Sequence, residues 1–206
     1  MKIDDIGIEQ GAYLVRLARR AIEAYLLDGS KIKVEPPYEI LKRNFGVFVT
    51  LNKYPGGELR GCIGYPEPIL PLYTATIEAA IAAAVEDPRF PPLRVGELGS
   101  VVVEVSVLSP LEKIIVDSRQ KLPEEVIVGK HGLMIRSGWF GGLLLPQVAV
   151  EYKWNSREFL DQTCIKAGMQ PGCWLREDVD VYRFSARIFK ERTPTGEIVE
   201  EMLEGY

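Results

Sequence analysis

The sequence predicts a mixed α+β chain with a mainly antiparallel sheet and helices on one face. Apolar residues recur at helical spacing in two long stretches, and β-branched runs with period-two alternation lie around them. The order of elements reads helix, strands, helix, strand, hairpin, helices, strand, which places the helices as a layer against the sheet.

The first helix is expected over about Ile8 to Leu27, where Leu14, Leu17, Ala18, Ala21 and Ile22 form one stripe and Asp28-Gly29 a stop. Arg16, Arg19, Arg20 and Glu23 fall opposite, as a solvated face or a phosphate-binding stripe. A strand over Phe45 to Leu51 is turned by Asn52-Lys53-Tyr54-Pro55-Gly56-Gly57 into a second strand carrying Arg60 and Cys62. The next helix, through Leu72, Thr76, Ala80 and Val85, bears alanines on its reverse face, which suits packing on both sides. It stops at Asp87-Pro88, before a proline-rich loop.

Val101 to Leu108 reads as a strand with Glu104 and Ser106 on one face and Val103, Val105 and Val107 on the other. Leu133 to Arg136 and Leu143 to Leu145 suit a hairpin, and Pro146 the first turn of a short helix in which Gln147 and Glu151 share a face. Asn155 with Glu158 forms a capping pattern for a helix that stops at Gly168. Val179 to Phe189 reads as the last strand, and 191–206 as a charged tail.

Composition bounds the function. A chain of 206 residues, 47% hydrophobic and 26% charged, buries a real core, and a net charge of −4 argues against a protein devoted to wrapping nucleic acid. No stretch approaches the ~20 apolar residues that span a bilayer, and the acidic start Met1-Lys2-Ile3-Asp4-Asp5 lacks the pattern of a secretion signal. Three cysteines without short paired spacing fit reduced thiols, so the expected location is cytoplasmic, away from membranes.

The most informative stretch is Leu59-Arg60-Gly61-Cys62-Ile63-Gly64. On a strand, Arg60, Cys62 and Gly64 share one face, so a cation lies near a thiol and favours its nucleophilic form. Gly64 leaves room there for an approaching group, while Gly61 and Gly64 also suit close backbone packing. His131 is the only histidine, which excludes any site needing two histidines from one chain. It is either a general base for Cys62 or a hydrogen-bonded turn residue.

Glu151 with Gln147 suits an acid in a cleft or an ion pair to Arg60 or Lys166. Arg89 suits a fork for an anionic group or a helix cap. Cys164 lies on an apolar helical stripe, and Cys173 has no short-spaced partner. No metal-ligand spacing, phosphate-cradling loop, dinucleotide fingerprint or serine elbow implies a cofactor.

The Leu59 to Gly64 stretch, with Asp87-Pro88-Arg89-Phe90-Pro91-Pro92-Leu93, Val105 to Pro110, Gly129-Lys130-His131-Gly132-Leu133, and Gly142 to Ala149 followed by Glu151, resembles the AMMECR domain family, in order and over nearly the whole chain. The resemblance implies a single-domain member of archaeal or bacterial type. It implies a larger body, about 1–110 and 146–190, similar in part to the RAGNYA group, with a three-stranded subdomain near 111–145.

Relatives are fused to or encoded beside Memo-type and radical SAM proteins, which implies those partners. The expected function is an enzyme or enzyme component with Cys62, His131 and Glu151 as catalytic residues. Arg60, Gly61, Gly64, Arg89 and Gln147 would then bind a small anionic substrate. Two alternatives stand beside it. One is a nucleotide- or RNA-binding module using Arg16, Arg19, Arg20, Arg60 and Arg89, and the other a protein-interaction adaptor.

Overall fold

The computed structural model describes residues 2–202. They divide into two compact units, one formed by the chain up to Ser109 with Arg187–Glu201, the other by Pro110–Ala186. Both are mixed α+β with antiparallel pairing, as the sequence predicts.

In the first unit, helix α1 (Ile8–Asp28) ends at Gly29, whose φ of 74° lets its N–H reach back to Tyr25 O. Strands β1 (Gly46–Lys53) and β2 (Leu59–Tyr65) form the expected hairpin, helix α2 spans Leu72–Val85, and β3 (Val101–Leu108) flanks β1 on its other side. Register decides what each face carries. Val47, Val49 and Leu51 pair with Val107, Val105 and Val103, and all six join one core with Leu14, Leu17, Ile77 and Ala80 of the two helices. The opposite face carries Cys62, Thr50 and Glu104 side by side, because Thr50 is the register partner of both others.

A Cβ at Gly61 would strike the Ala83 carbonyl of α2. At Gly64 it would strike the Val47 carbonyl and the Phe48 ring, so the space expected at Gly64 is filled by packing.

Arg19 departs from the expected solvated face. It is buried, and its Nε and Nη2 each donate to Glu191 at 2.6 Å, with further bonds to the Leu98 and Val101 carbonyls. Glu191 also accepts from Val103 N at 2.9 Å. The partner lies 172 residues away in sequence, beyond the reach of a periodicity argument. Strand β7 (Asp180–Glu191) continues through Thr193-Pro194-Thr195-Gly196 into β8 (Ile198–Glu201). The expected tail therefore holds a strand, steadied by Arg187–Glu200 and Lys190–Glu201 pairs across the hairpin. Residues 203–206 of that tail lie outside the described residues.

In the second unit, β4 (Glu112–Lys113) and β5 (His131–Ser137) pair with the early part of β7, and β6 (Phe140–Leu144) pairs with β5. Helices α3 (Pro146–Glu151) and α4 (Ser156–Lys166) begin at the expected proline and at the Asn155–Glu158 capping box. This unit is larger than the 111–145 piece implied by the resemblance, since Phe159 and Leu160 of α4 share a core with Leu133, Ile135 and Val181. A few short strands have no sufficient core without such a cover.

Cys164 and Cys173 form a disulfide, with Cα atoms 5.8 Å apart, contrary to the expected reduced thiols. Gly168 (φ 79°) turns the chain after α4, which brings Cys173 back to the helix. Disulfides belong to oxidising compartments and to hyperthermophile interiors, so the cysteine count no longer argues for one location. Among the described residues no helix is long and apolar enough to cross a membrane.

Candidate functional site

Cys62 is half-buried in the middle of β2 and is the free cysteine of the chain. Thr50 Oγ1 donates to Cys62 Sγ at 3.3 Å. The Cys62 N–H donates to Asp87 Oδ2 at 2.9 Å, and the Cys62 carbonyl accepts from Arg89 Nη2 at 3.4 Å. The groups that surround Cys62 thus come from β1 and from the loop after α2, where Pro88 ends helical geometry and points Asp87 and Arg89 at the strand.

Asp87 is the hub of this arrangement. Its side chain is buried and accepts from Cys62 N, Arg89 N, Arg89 Nε at 2.9 Å and Arg89 Nη2 at 2.6 Å. The Arg89 guanidinium, followed by the two backbone N–H groups, pulls its carboxyl down to about 2, against the cost of burial. Asp87 was not singled out from the sequence, although its spacing to Arg89 within one motif was visible. Arg89 makes the expected fork, but to a carboxylate of its own chain, and its side chain remains 46% exposed.

Arg60 does not supply the cation at the thiol. It is buried, its Nε and Nη2 donate to Glu97 at 3.1 and 3.2 Å, and its guanidinium lies 6.0 Å from the Phe90 ring centre. The Arg60 guanidinium in turn holds the Glu97 carboxyl below its ordinary range. The cation that acts on Cys62 is Arg89.

Burial nevertheless pushes the Cys62 thiol up, assisted by the Glu104 and Asp87 carboxylates and opposed by the Thr50 hydroxyl and Arg89. The expected ready thiolate is therefore a neutral thiol in this chain. Glu104 could have been found as an acid set among valines in a strand. Thr50 gave no sequence signal, because its importance comes from register alone.

His131, Gln147 and Glu151 belong to the second unit. His131 opens β5, where its Nδ1 accepts from Ile127 N at 3.1 Å and a second bond goes to the Glu125 backbone. This is the hydrogen-bonded turn arrangement. Burial, with Arg183 and Lys130 nearby, holds the ring below its ordinary pKa and so neutral. Glu151 is exposed at the end of α3, so the expected need of a buried carboxylate for a cationic partner does not arise. Gln147 is half-buried in the same helix. Of the five arginines expected at phosphates, Arg19, Arg60 and Arg89 are engaged by Glu191, Glu97 and Asp87. Among the described residues no group of three or more His, Cys, Asp or Glu could hold a metal ion.

The family model described as AMMECR1 matches residues 15–189. Protein MK0488 of Methanopyrus kandleri is 50% identical over 201 residues, covering 97% of either chain. Protein PF1979 of Pyrococcus furiosus is 53% identical over 201 residues, covering 95% of this chain and 94% of that one. The crystal structure of an uncharacterized protein, PH0010, from Pyrococcus horikoshii is similar at a TM-score of 0.91 and 52% identity, covering 96% of this chain and 98% of that one.

Proposed function

The chain belongs to the AMMECR1 family, and on that premise we propose that it is a cytoplasmic enzyme or enzyme component whose reacting group is Cys62. It works beside the Memo-type and radical SAM proteins that the family resemblance implies. The observation that carries this reading is that separate residues hold the sulfur, the N–H and the carbonyl of one cysteine: Thr50, Asp87 and Arg89. The main-chain bonds would serve any residue on this edge strand, but a packing cysteine needs no hydroxyl at its sulfur, whereas a nucleophile must be held in place by its supporting groups.

The thiol is protonated at rest, so its use requires proton removal. Glu104, next to Thr50 in register, is the carboxylate proposed to receive that proton. For the proton to pass through Thr50, whose hydroxyl donates to the sulfur at rest, the hydroxyl must turn to accept from the thiol and donate to Glu104, while the Arg89 cation steadies the thiolate. Of the two arginines expected to bind substrate, Arg89 is partly exposed and Arg60 is buried, and because Asp87 balances the charge of Arg89, the substrate group it takes is a hydrogen-bond acceptor rather than a strong anion. The upward shift of the thiol favours a second reading, in which the Cys62 face is a packing element and the protein an interaction adaptor for the same partners.

The experiment that separates them uses the disulfide: without reductant, iodoacetamide has one free thiol to find. The alkylation midpoint of the isolated chain is expected above the ordinary thiol value of about 8.5, and to fall when the Memo-type partner is added. Restoration of pathway function by Cys62→Ala in a deletion strain, with the midpoint unmoved, would refute thiol chemistry and leave the adaptor reading.

A further inference from the structure

A second concave site lies within the second unit, built from residues that the Cys62 reading does not use. The β5–β6 hairpin turns through Gly138, whose φ of 57° suits a tight two-residue loop, and places Trp139 at the tip. Trp139 is fully exposed and its neighbour Phe140 more than half so. Large aromatic faces left in water contribute nothing to the core, and here they stand beside a cavity rather than on a flat surface. The cavity has a volume of about 510 Å³ and is lined by this tip, by Met169 after α4, and by Arg176 and Asp178. That volume lies within the range of about 300–1,000 Å³ usual for small-molecule sites, and the mix of an apolar wall with few polar groups is also theirs.

The polar groups define the ligand. Arg176 Nε and Nη2 donate to the Asp178 oxygens at 3.0 and 2.6 Å, and Ser137 Oγ donates to Asp178 at 3.4 Å. The arginine holds the carboxyl of Asp178 below its ordinary range, so it stays ionised. Guanidinium and carboxylate cancel in net charge, which gives no reward to a phosphate or other strong anion inside the cavity. They still offer donors and an acceptor side by side. A flat ring with alternating donors and acceptors along its edge matches that set, and its face matches the indole, since stacking on an aromatic side chain suits any base.

We propose that this cavity binds an uncharged heteroaromatic ring of nucleobase type, stacked on Trp139 with its edge toward Arg176 and Asp178. The site is independent of the Cys62 reading and stands or falls without it. Because the recognising pair is neutral overall, the base is read and any attached phosphate remains outside, so binding depends little on salt.

The test titrates the full chain with adenosine, guanosine, AMP and maltose, followed by tryptophan fluorescence and by saturation-transfer NMR of the ligand. Trp139 is the reporter, because Trp174 is buried and donates to Asp161 and Trp154 is partly buried in the same core. Saturable quenching by at least one nucleoside is expected, with AMP binding within about threefold of adenosine and little change between 50 mM and 200 mM salt. Trp139→Ala, read by NMR, is expected to weaken binding about tenfold or more. Asp178→Asn, which keeps the reporter, should weaken it and change the preference between adenosine and guanosine. Absence of saturation by either nucleoside would overturn the proposal. So would maltose binding as well as a nucleoside, binding that requires the phosphate, or affinity unchanged in Trp139→Ala.

Discussion

The sheet face around Cys62 and the hairpin cavity at Trp139 solve opposite problems. In the first, charge meets charge inside the chain: Asp87 with Arg89, Arg60 with Glu97, and, on the same unit, Arg19 with Glu191. In the second, Trp139 and Phe140 present apolar surface to water and the one ion pair nearby is itself exposed. Groups satisfied from within secure a fold, whereas groups left unsatisfied in a concave setting are available to something outside. Substitutions in the internal charge pairs should therefore report first on stability, and those at the hairpin tip on ligand affinity.

The sharpest break of that contrast is at Arg19. Arg19→Ala leaves Glu191 buried without its cation, and a loss of about 3–5 kcal/mol is expected in urea unfolding. A loss below about 1 kcal/mol would mean that the first unit does not depend on its internal charge pairs.

Asp87→Asn should cost less, about 2 kcal/mol, and the cost should depend on pH. The carboxyl is depressed in the folded chain, so its contribution is complete above the ordinary carboxylate value of about 3.9 and is lost as pH falls toward 2. The stability difference between the wild type and Asp87→Asn should accordingly close over that window. A gap independent of pH would assign the effect to shape rather than charge.

The smallest effect is expected at Trp139. Trp139→Ala should alter the unfolding midpoint by an amount equivalent to less than about 0.5 kcal/mol, because no core contact is lost at a fully exposed position. A large destabilisation there would remove the distinction between the two regions.

The elements were largely legible in the sequence, and the site was legible only in part. Gly29 and Gly168 as stops, Asn155 as a cap and the alternating valines of β3 depend on neighbours a few residues away, where periodicity operates. The placement of Cys62 on a strand was legible for the same reason. Its actual cation was not: Arg60 shares its face in sequence, yet Glu97 claims that guanidinium, and Arg89 arrives from 27 residues away. The Cys164–Cys173 bond and the β8 strand depend likewise on turns whose outcome the flanking composition did not reveal.

The hydrogen bonds of Asp87 and Arg89 to Cys62 have a consequence for the company the protein keeps. β2 is the outermost strand of its sheet order, and an open row of main-chain donors and acceptors there would template pairing with another chain. At Cys62 a carboxylate receives the N–H and a guanidinium supplies the carbonyl, so two side chains imitate one residue of a missing strand. The imitation ends in charged groups and cannot be extended. It blunts the sheet margin against strand addition by another chain.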